Sequence, residues 1–199
     1  MYKIILASES PRRREILKNA GFDFEVIPAN ISEFPNKNLN VDERILDIAR
    51  RKSMATLNQI SENQKNKHII IAADTEVVLN NQTLGKPNSE HHAYEILQSL
   101  SNRTHEVKTA IVIQIPDQNK ELSQIETTRV TFHQLSDEEI WSYIKTGEAM
   151  DKAGAYGIQG QAKRMIKNFE GSYDNVVGLP LNILIDMLKK GNINVERKI

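Results

Sequence analysis

Ser8-Glu9-Ser10-Pro11-Arg12-Arg13-Arg14 sets two hydroxyls and three consecutive cations directly after an apolar, β-branched run, Lys3 to Ala7. Ser10 suits a helix N-cap, Pro11 the first helical position and Gly21 the residue just past the helix end, so the segment reads as strand, tight loop and helix. A helix N-terminus carries partial positive charge, and each arginine in the first turn gives up roughly 0.3 to 1 kcal/mol where Asp or Glu would gain it. Local stability therefore disfavours these residues. Binding of an anion favours them, because free N–H groups, hydroxyls and guanidinium forks together make a phosphate receptor. The competing reading is a solvated basic turn that points outward.

Three more positions could carry chemistry. Asp74 follows the nearly all-apolar run His68 to Ala73, at the rim of a buried sheet, where a carboxylate can hold a metal or accept a proton from water; it could equally cap a turn. Lys52 interrupts the helical stripe Val41, Ile45, Ile48, Ala49, Ala55 and Gln59. It either snorkels to water or points into a cleft as a phosphate ligand. Lys86, between Gly85 and Pro87, is a second candidate cation whose bland alternative is a solvated turn lysine.

The segment Asp151 to Gly160 holds three glycines among small residues and permits close approach of backbone to a ligand. Its spacing matches neither the Walker nor the dinucleotide fingerprint. Gln159 could read a base edge with its amide or serve as an ordinary loop residue. The five histidines show no ligand spacing, so a hard cation held by Asp74 and Glu33 with substrate phosphates is the metal these residues suit.

Composition sets the bounds. The 199 residues are enough for a sizeable core, and one domain spanning 1–199 is the expectation. Lys plus Arg equals Asp plus Glu at 26 each, so no global field favours nucleic acid or an anionic membrane, and any phosphate must be held locally. With no cysteine, thiolate catalysis, disulfides and zinc–thiolate sites are excluded. No run of about 18 apolar residues is present, and a cytoplasmic protein without membrane contact is expected.

The elements that must position these residues follow from capping and periodicity. Asp42 is placed as cap of a helix to about Ser61, with a polar loop from Glu62 to Lys67 and a strand from His68 to Ala73 that ends at Asp74. Val77 to Leu79, the Asn80-Asn81 turn and Gln82 to Leu84 read as a hairpin, and Ser89 caps a helix to Leu100. Thr104 to Ile115 and Ser123 to Phe132 read as long antiparallel strands, and Ser136 with Glu139 as a capping box. Ala162 to Phe169 reads as a strand, and Pro180 opens a last helix ending near Gly191. Early alternation of strands and helices with later adjacent strands gives an α/β class with a mixed sheet.

Taken together the motifs resemble the Maf family of nucleoside triphosphate pyrophosphatases. Leu6-Ala7-Ser8-Glu9-Ser10-Pro11-Arg12-Arg13 resembles that family's LASxSPRR, Ala73-Asp74-Thr75 its ADT, and Leu84-Gly85-Lys86-Pro87 its LGKP. Asp151 to Gly160 resembles its DKAGAYGIQG, and Gly178-Leu179-Pro180 its GLP. Departures are modest: Leu100-Ser101-Asn102 stands for LSG, Ala72 precedes ADT, and Arg14 and Arg51 fall at variable positions.

The resemblance implies an elongated α/β Maf/ITPase-like fold with a cleft between two lobes, commonly a homodimer. It also implies hydrolysis of the α–β phosphoanhydride with a divalent cation, Mg²⁺ or Mn²⁺, and an association with cell-division arrest or with limiting modified nucleotides. By motif, Asp74 is the proton acceptor. Ser8, Arg13, Lys52 and Lys86 line the phosphates, Asp74 and Glu33 the metal, and Arg12, Thr75 and Gln159 match the positions of the branch that prefers dTTP and UTP. An amide at Gln159 can pair with O4 and N3–H of such a pyrimidine. The rival readings are the same chemistry on modified or 7-methylguanosine triphosphates, and a non-catalytic binder of nucleotide or nucleic acid. Zero net charge weakens the nucleic-acid version.

Overall fold

A computed structural model describes residues 1–34, 36 and 38–197. Apolar β-branched runs form the strands and capped amphipathic segments the helices. In chain order these are β1 (Lys3–Leu6), α1 (Pro11–Asn19), β2 (Phe24–Val26), α2 (Val41–Leu57), α3 (Glu62–Lys65), β3 (His68–Leu79) and β4 (Gln82–Thr83). Then come α4 (Glu90–Leu100), β5 (Thr104–Ile115), β6 (Lys120–Phe132), α5 (Asp137–Ile144), β7 (Ile166–Glu170), α6 (Tyr173–Val177) and α7 (Leu181–Lys190). The strands make one seven-stranded mixed sheet in the order β2-β1-β3-β5-β6-β7, with β4 paired to β3.

The chain divides into two compact units. The first comprises residues 1–74, 109–126 and the segment from Gly178 onward; the second comprises Thr75–Lys108 and Thr127–Val177. In the first, β1 runs parallel to both β2 and β3, with Lys3 to Leu6 opposite His68 to Ile71. Its core packs Ile4, Leu6, Ile69 and Ile71 with Leu17 of α1 and Leu184 and Leu188 of α7; a separate cluster joins Ile5, Ile70 and Ala72 to Ile60. The second unit has its own core, in which Leu97, Val130, Phe132, Tyr143 and Tyr156 are buried together.

Several boundaries differ from the sequence reading. Asn40, rather than Asp42, caps α2, through a reciprocal capping box with Glu43. That helix stops at Leu57 because Ser61 opens α3 with a capping box of its own, to Gln64, where a loop was expected. The buried stripe of α2 accordingly continues through Thr56, and Gln59 is exposed. β3 does not end at Asp74 but runs on to Leu79. The span 162–169 begins as a 3₁₀ turn, Gly160–Met165, since Ala, Lys, Arg and Met lack the β-branching that favours a strand, and extends only from Ile166. β6 starts three residues earlier than expected, and α6 was not anticipated.

Other expectations hold. Ser10, Ser89 and Ser136 cap their helices, Asn80 and Asn81 take the positive φ values of a hairpin turn, and Pro180 and Gly191 stand as the caps just outside α7. No helix among the described residues is long and apolar enough to cross a membrane.

Candidate active site

Parallel strands β1 and β2 deliver their carboxyl ends to the same rim, and the segments that leave them carry Ser8 and Glu33. Asp74 reaches that rim for a different reason. β3 outruns β1, whose last ladder partner is Ile71, so Asp74 stands three residues beyond the paired stretch while still in extended backbone. Asp74 thus lies at the rim of the parallel strand ends although its own strand does not end there.

Lys52 does not snorkel to water. On the inward face of α2 its ammonium donates to Asp74 Oδ1 at 2.8 Å and lies 2.7 Å from Glu33 Oε1. The Lys52 and Asp74 side chains are only 10% and 9% exposed, whereas Glu33 is 51% exposed. One cation therefore bridges a buried and an open carboxylate. Asp74 Oδ2 is buried and accepts no hydrogen bond from the described residues.

Arg13 is buried as well, and it bridges two loops. Its Nε donates to the Gly178 carbonyl at 2.8 Å and its Nη1 to Ser8 Oγ at 3.1 Å, which ties the loop after β1 to the turn before α7. Burial lowers its pKa from the usual guanidinium value, while Asp74 and Glu33 act in the opposite direction. A guanidinium remains charged regardless, so positive potential is fixed beside the two carboxylates. Ser10 accepts from the Arg13 N–H as N-cap, Arg14 turns back to the Glu9 carbonyl, and Arg12 is half-buried. The run of three arginines thus divides its work, and only part of it faces solvent.

The first unit therefore gathers Ser8, Arg12, Arg13, Glu33, Lys52 and Asp74. Thr75, Lys86 and Gln159 belong to the second. There Lys86 and Gln159 are exposed and Thr75 is half-buried. The two motif loops that carry Lys86 and Gln159 are joined directly, since the Gly154 N–H donates to the Gly85 carbonyl at 2.7 Å. Gly154 has φ +70°, and a Cβ there would fall 2.7 Å from Val77, so only glycine allows this approach.

The Maf-like protein family matches residues 3–191. The chain belongs to this family. Curated relatives named dTTP/UTP pyrophosphatase include one from Bdellovibrio bacteriovorus, 53% identical with 94% of this chain and 97% of the relative covered. Another, from Thermoanaerobacter sp., is 44% identical with 94% and 96% covered, and one from Acetivibrio thermocellus is 40% identical over all of both chains. Among solved structures, the Staphylococcus aureus Ham1 protein matches with TM-score 0.55 at 17% identity, covering 95% of this chain and 99% of that one. A HAM1 protein from Coxiella burnetii matches with TM-score 0.53 at 14% identity, covering 96% and 100%. These place the Maf chain in the Ham1-like fold.

Two features of this Maf protein escaped the sequence reading. Tyr156, inside the glycine-rich motif, is buried with its hydroxyl 2.6 Å from His105 Nε2, and both rings pack edge-on against Phe132. Burial lowers the His105 pKa to about 4 and raises that of the Tyr156 phenol. Glu148 takes the Gln161 N–H on its carboxylate. The alternation in Thr104 to Ile115 was the available signal for an inward His105; nothing in sequence spacing pointed to Glu148.

Proposed function

We propose that this chain is a dTTP/UTP pyrophosphatase that releases the nucleoside monophosphate and pyrophosphate. The observation that carries the proposal is the Glu33–Lys52–Asp74 bridge, at 2.7 and 2.8 Å, beside the buried Arg13. Two carboxylates and a cation at the mouth of parallel strands suit a general base and phosphate binding, which supports this reading. The names of relatives at 40–53% identity support the substrate class.

Asp74 uses its Oδ2 to accept a proton from water while Lys52 holds Oδ1 and fixes the carboxylate plane. The water oxygen forms a bond to the α phosphorus, the bond to the α–β bridging oxygen breaks, and pyrophosphate leaves with that electron pair. Ser8, Arg13, Lys52 and Lys86 stabilise phosphate charge, so positioning and electrostatics supply most of the rate. Arg12, Thr75 and Gln159 select the pyrimidine.

A divalent cation, Mg²⁺ or Mn²⁺, fits this donor set. Asp74 and Glu33 offer two carboxylates on one ammonium, the second of them open, and among the described residues no group of three or more His, Cys, Asp or Glu converges. Asp74 and Glu33 would hold such a hard cation together with substrate phosphate oxygens. When bound, such a cation neutralises charge on the phosphates.

The test is pyrophosphate release from a panel of common and modified nucleoside triphosphates, with Mg²⁺, Mn²⁺ or EDTA, for the parent and Asp74→Asn. Metal-dependent release from dTTP and UTP, lost in the variant, is expected. Release from none of them would leave a nucleotide-binding protein without this activity.

A further inference from the structure

Between β2 and α2 the chain crosses residues 27–40, whose described part contains no helix or strand. Its carbonyls are received by side chains on or just past α2. Thr56 Oγ1 donates to the Ile27 carbonyl at 3.1 Å, Gln59 Nε2 to Pro28 at 3.4 Å and Arg44 Nε to Leu39 at 2.7 Å. Arg51 does something more specific. Its Nη1 donates to the Ser32 carbonyl at 2.7 Å and its Nη2 to the Phe34 carbonyl at 3.1 Å, one on each side of Glu33. The remaining nitrogen, Nε, donates to Asp47 Oδ2 at 2.9 Å, one turn earlier on the same helix.

We infer that Arg51 is a positioning residue for Glu33, clamping the backbone on either side of it so that its carboxylate is presented to Lys52 and to the cation and phosphates of the proposed site. The inference rests on that reading of Glu33. Arg51 and Lys52 are consecutive, and the helix turns them about 100° apart, so one faces the passing backbone and the other the buried Asp74. Together they hold residue 33 by the carbonyls of its two neighbours and by its own side chain. A half-exposed carboxylate on irregular backbone would otherwise sample many orientations, and fixing it has an entropic cost that has to be met before binding. The planar fork of arginine can reach two carbonyls in fixed geometry while its third nitrogen is anchored by Asp47; a lysine ammonium at the end of a flexible stem cannot.

The experiment uses the full chain with Arg51→Lys and Arg51→Ala, each alone and combined with Glu33→Gln. Three quantities are read: the Mg²⁺ concentration for half-maximal pyrophosphate release from dTTP, the ¹⁵N heteronuclear NOE of the Ser32, Glu33 and Phe34 amides without metal or substrate, and the melting temperature. Loss of the clamp is expected to lower the NOE at all three amides in both Arg51 variants. The half-maximal Mg²⁺ concentration should rise by about 10- to 100-fold, as for other residues that orient a metal ligand. In the Glu33→Gln background, Arg51→Ala should add less than about twofold to the activity loss, since its effect passes through a carboxylate already removed. An unchanged NOE, a Lys variant that behaves as the parent, or a full additional loss in the Glu33→Gln background would overturn the inference. A parent that releases no pyrophosphate from any triphosphate overturns the proposed function instead, and the clamp is then decided by the NOE.

Discussion

The Lys52 ammonium lies 2.8 Å from Asp74 Oδ1, with both side chains about nine-tenths buried. Removing one member of such a pair leaves the other buried and uncompensated, at about 3–5 kcal/mol. Lys52→Met therefore strands Asp74 and is expected to cost about 3 kcal/mol in urea unfolding. Asp74→Asn keeps an oxygen for Lys52 to donate to, and Glu33 still balances the ammonium, so its cost should be about 1 kcal/mol. Hydrolysis should be lost in both. Equal destabilisation of the two variants would mean that Glu33 does not balance Lys52, so that either change strands a buried charge.

Gly154→Ala tests the junction of the two motif loops. The position has φ +70° and a Cβ would meet Val77 at 2.7 Å, so strain and overpacking act together, each of order 1–3 kcal/mol. About 3 kcal/mol of lost stability is expected, and in a thermal melt the variant should unfold several degrees below the parent. Gly85→Ala is the useful control. It shares a positive φ, +57°, but has nothing within 4 Å of the added Cβ, so only the backbone strain applies.

What was legible in the sequence, and what was not, follows from how far each signal reaches along the chain. Ser10, Ser89 and Ser136 were found because a cap is decided within four residues. Asn40 was missed because Asn40 and Asp42 are both good caps, and only the reciprocal bond with Glu43 separates them. Asp74 was assigned to a strand end because a polar Asp-Thr-Glu run interrupts the apolar pattern. The strand nevertheless continues, since β3 pairs with β1 on one stretch and with β4 on a later one. Lys52 stood out as a charge in an apolar stripe, but its two carboxylate partners, 19 and 22 residues away, are contacts that only the fold supplies. Arg51 gave no signal at all, because its partners are backbone carbonyls and these have no sequence signature.

His105 makes stability depend on pH. Its pKa falls from an ordinary 6.5 to about 4 on burial, so the native state favours the neutral ring and the unfolded state binds the proton first. The contribution is fully present above pH 6.5 and is lost as pH falls from there to about 4, a difference of roughly 3 kcal/mol at most. His105→Gln removes the titrating group while leaving an amide that can still reach the Tyr156 hydroxyl. Urea unfolding of parent and variant between pH 7.5 and 4.5 isolates the term by subtraction. The parent should lose more stability than the variant across that window, and parallel curves would show that the buried ring does not titrate as described.

Gln159 carries the base-selection prediction. It is exposed, but its backbone is held on both sides. Ile158 before it is buried, and after it Gly160 has φ +76° with the Glu148 Oε2 atom 2.6 Å from where a Cβ would stand. Glu148 also accepts the Gln161 N–H at 3.2 Å, so the amide side chain projects from a fixed point. A bidentate amide-to-base contact contributes about 1–3 kcal/mol of discrimination, or roughly 5- to 150-fold in kcat/KM. Gln159→Ala should therefore lower kcat/KM for dTTP and UTP by about that factor and leave kcat/KM for dCTP and GTP nearly unchanged. Gln159→Glu should go further. A carboxylate accepts from N3–H of thymine or uracil but has no proton for O4, and with cytosine it accepts from the N4 amine but faces the N3 lone pair, so the preference for dTTP and UTP over dCTP should collapse. Pyrophosphate release from the four substrates decides between the outcomes. A uniform fall across all of them would show that Gln159 supports the loop and does not read the base.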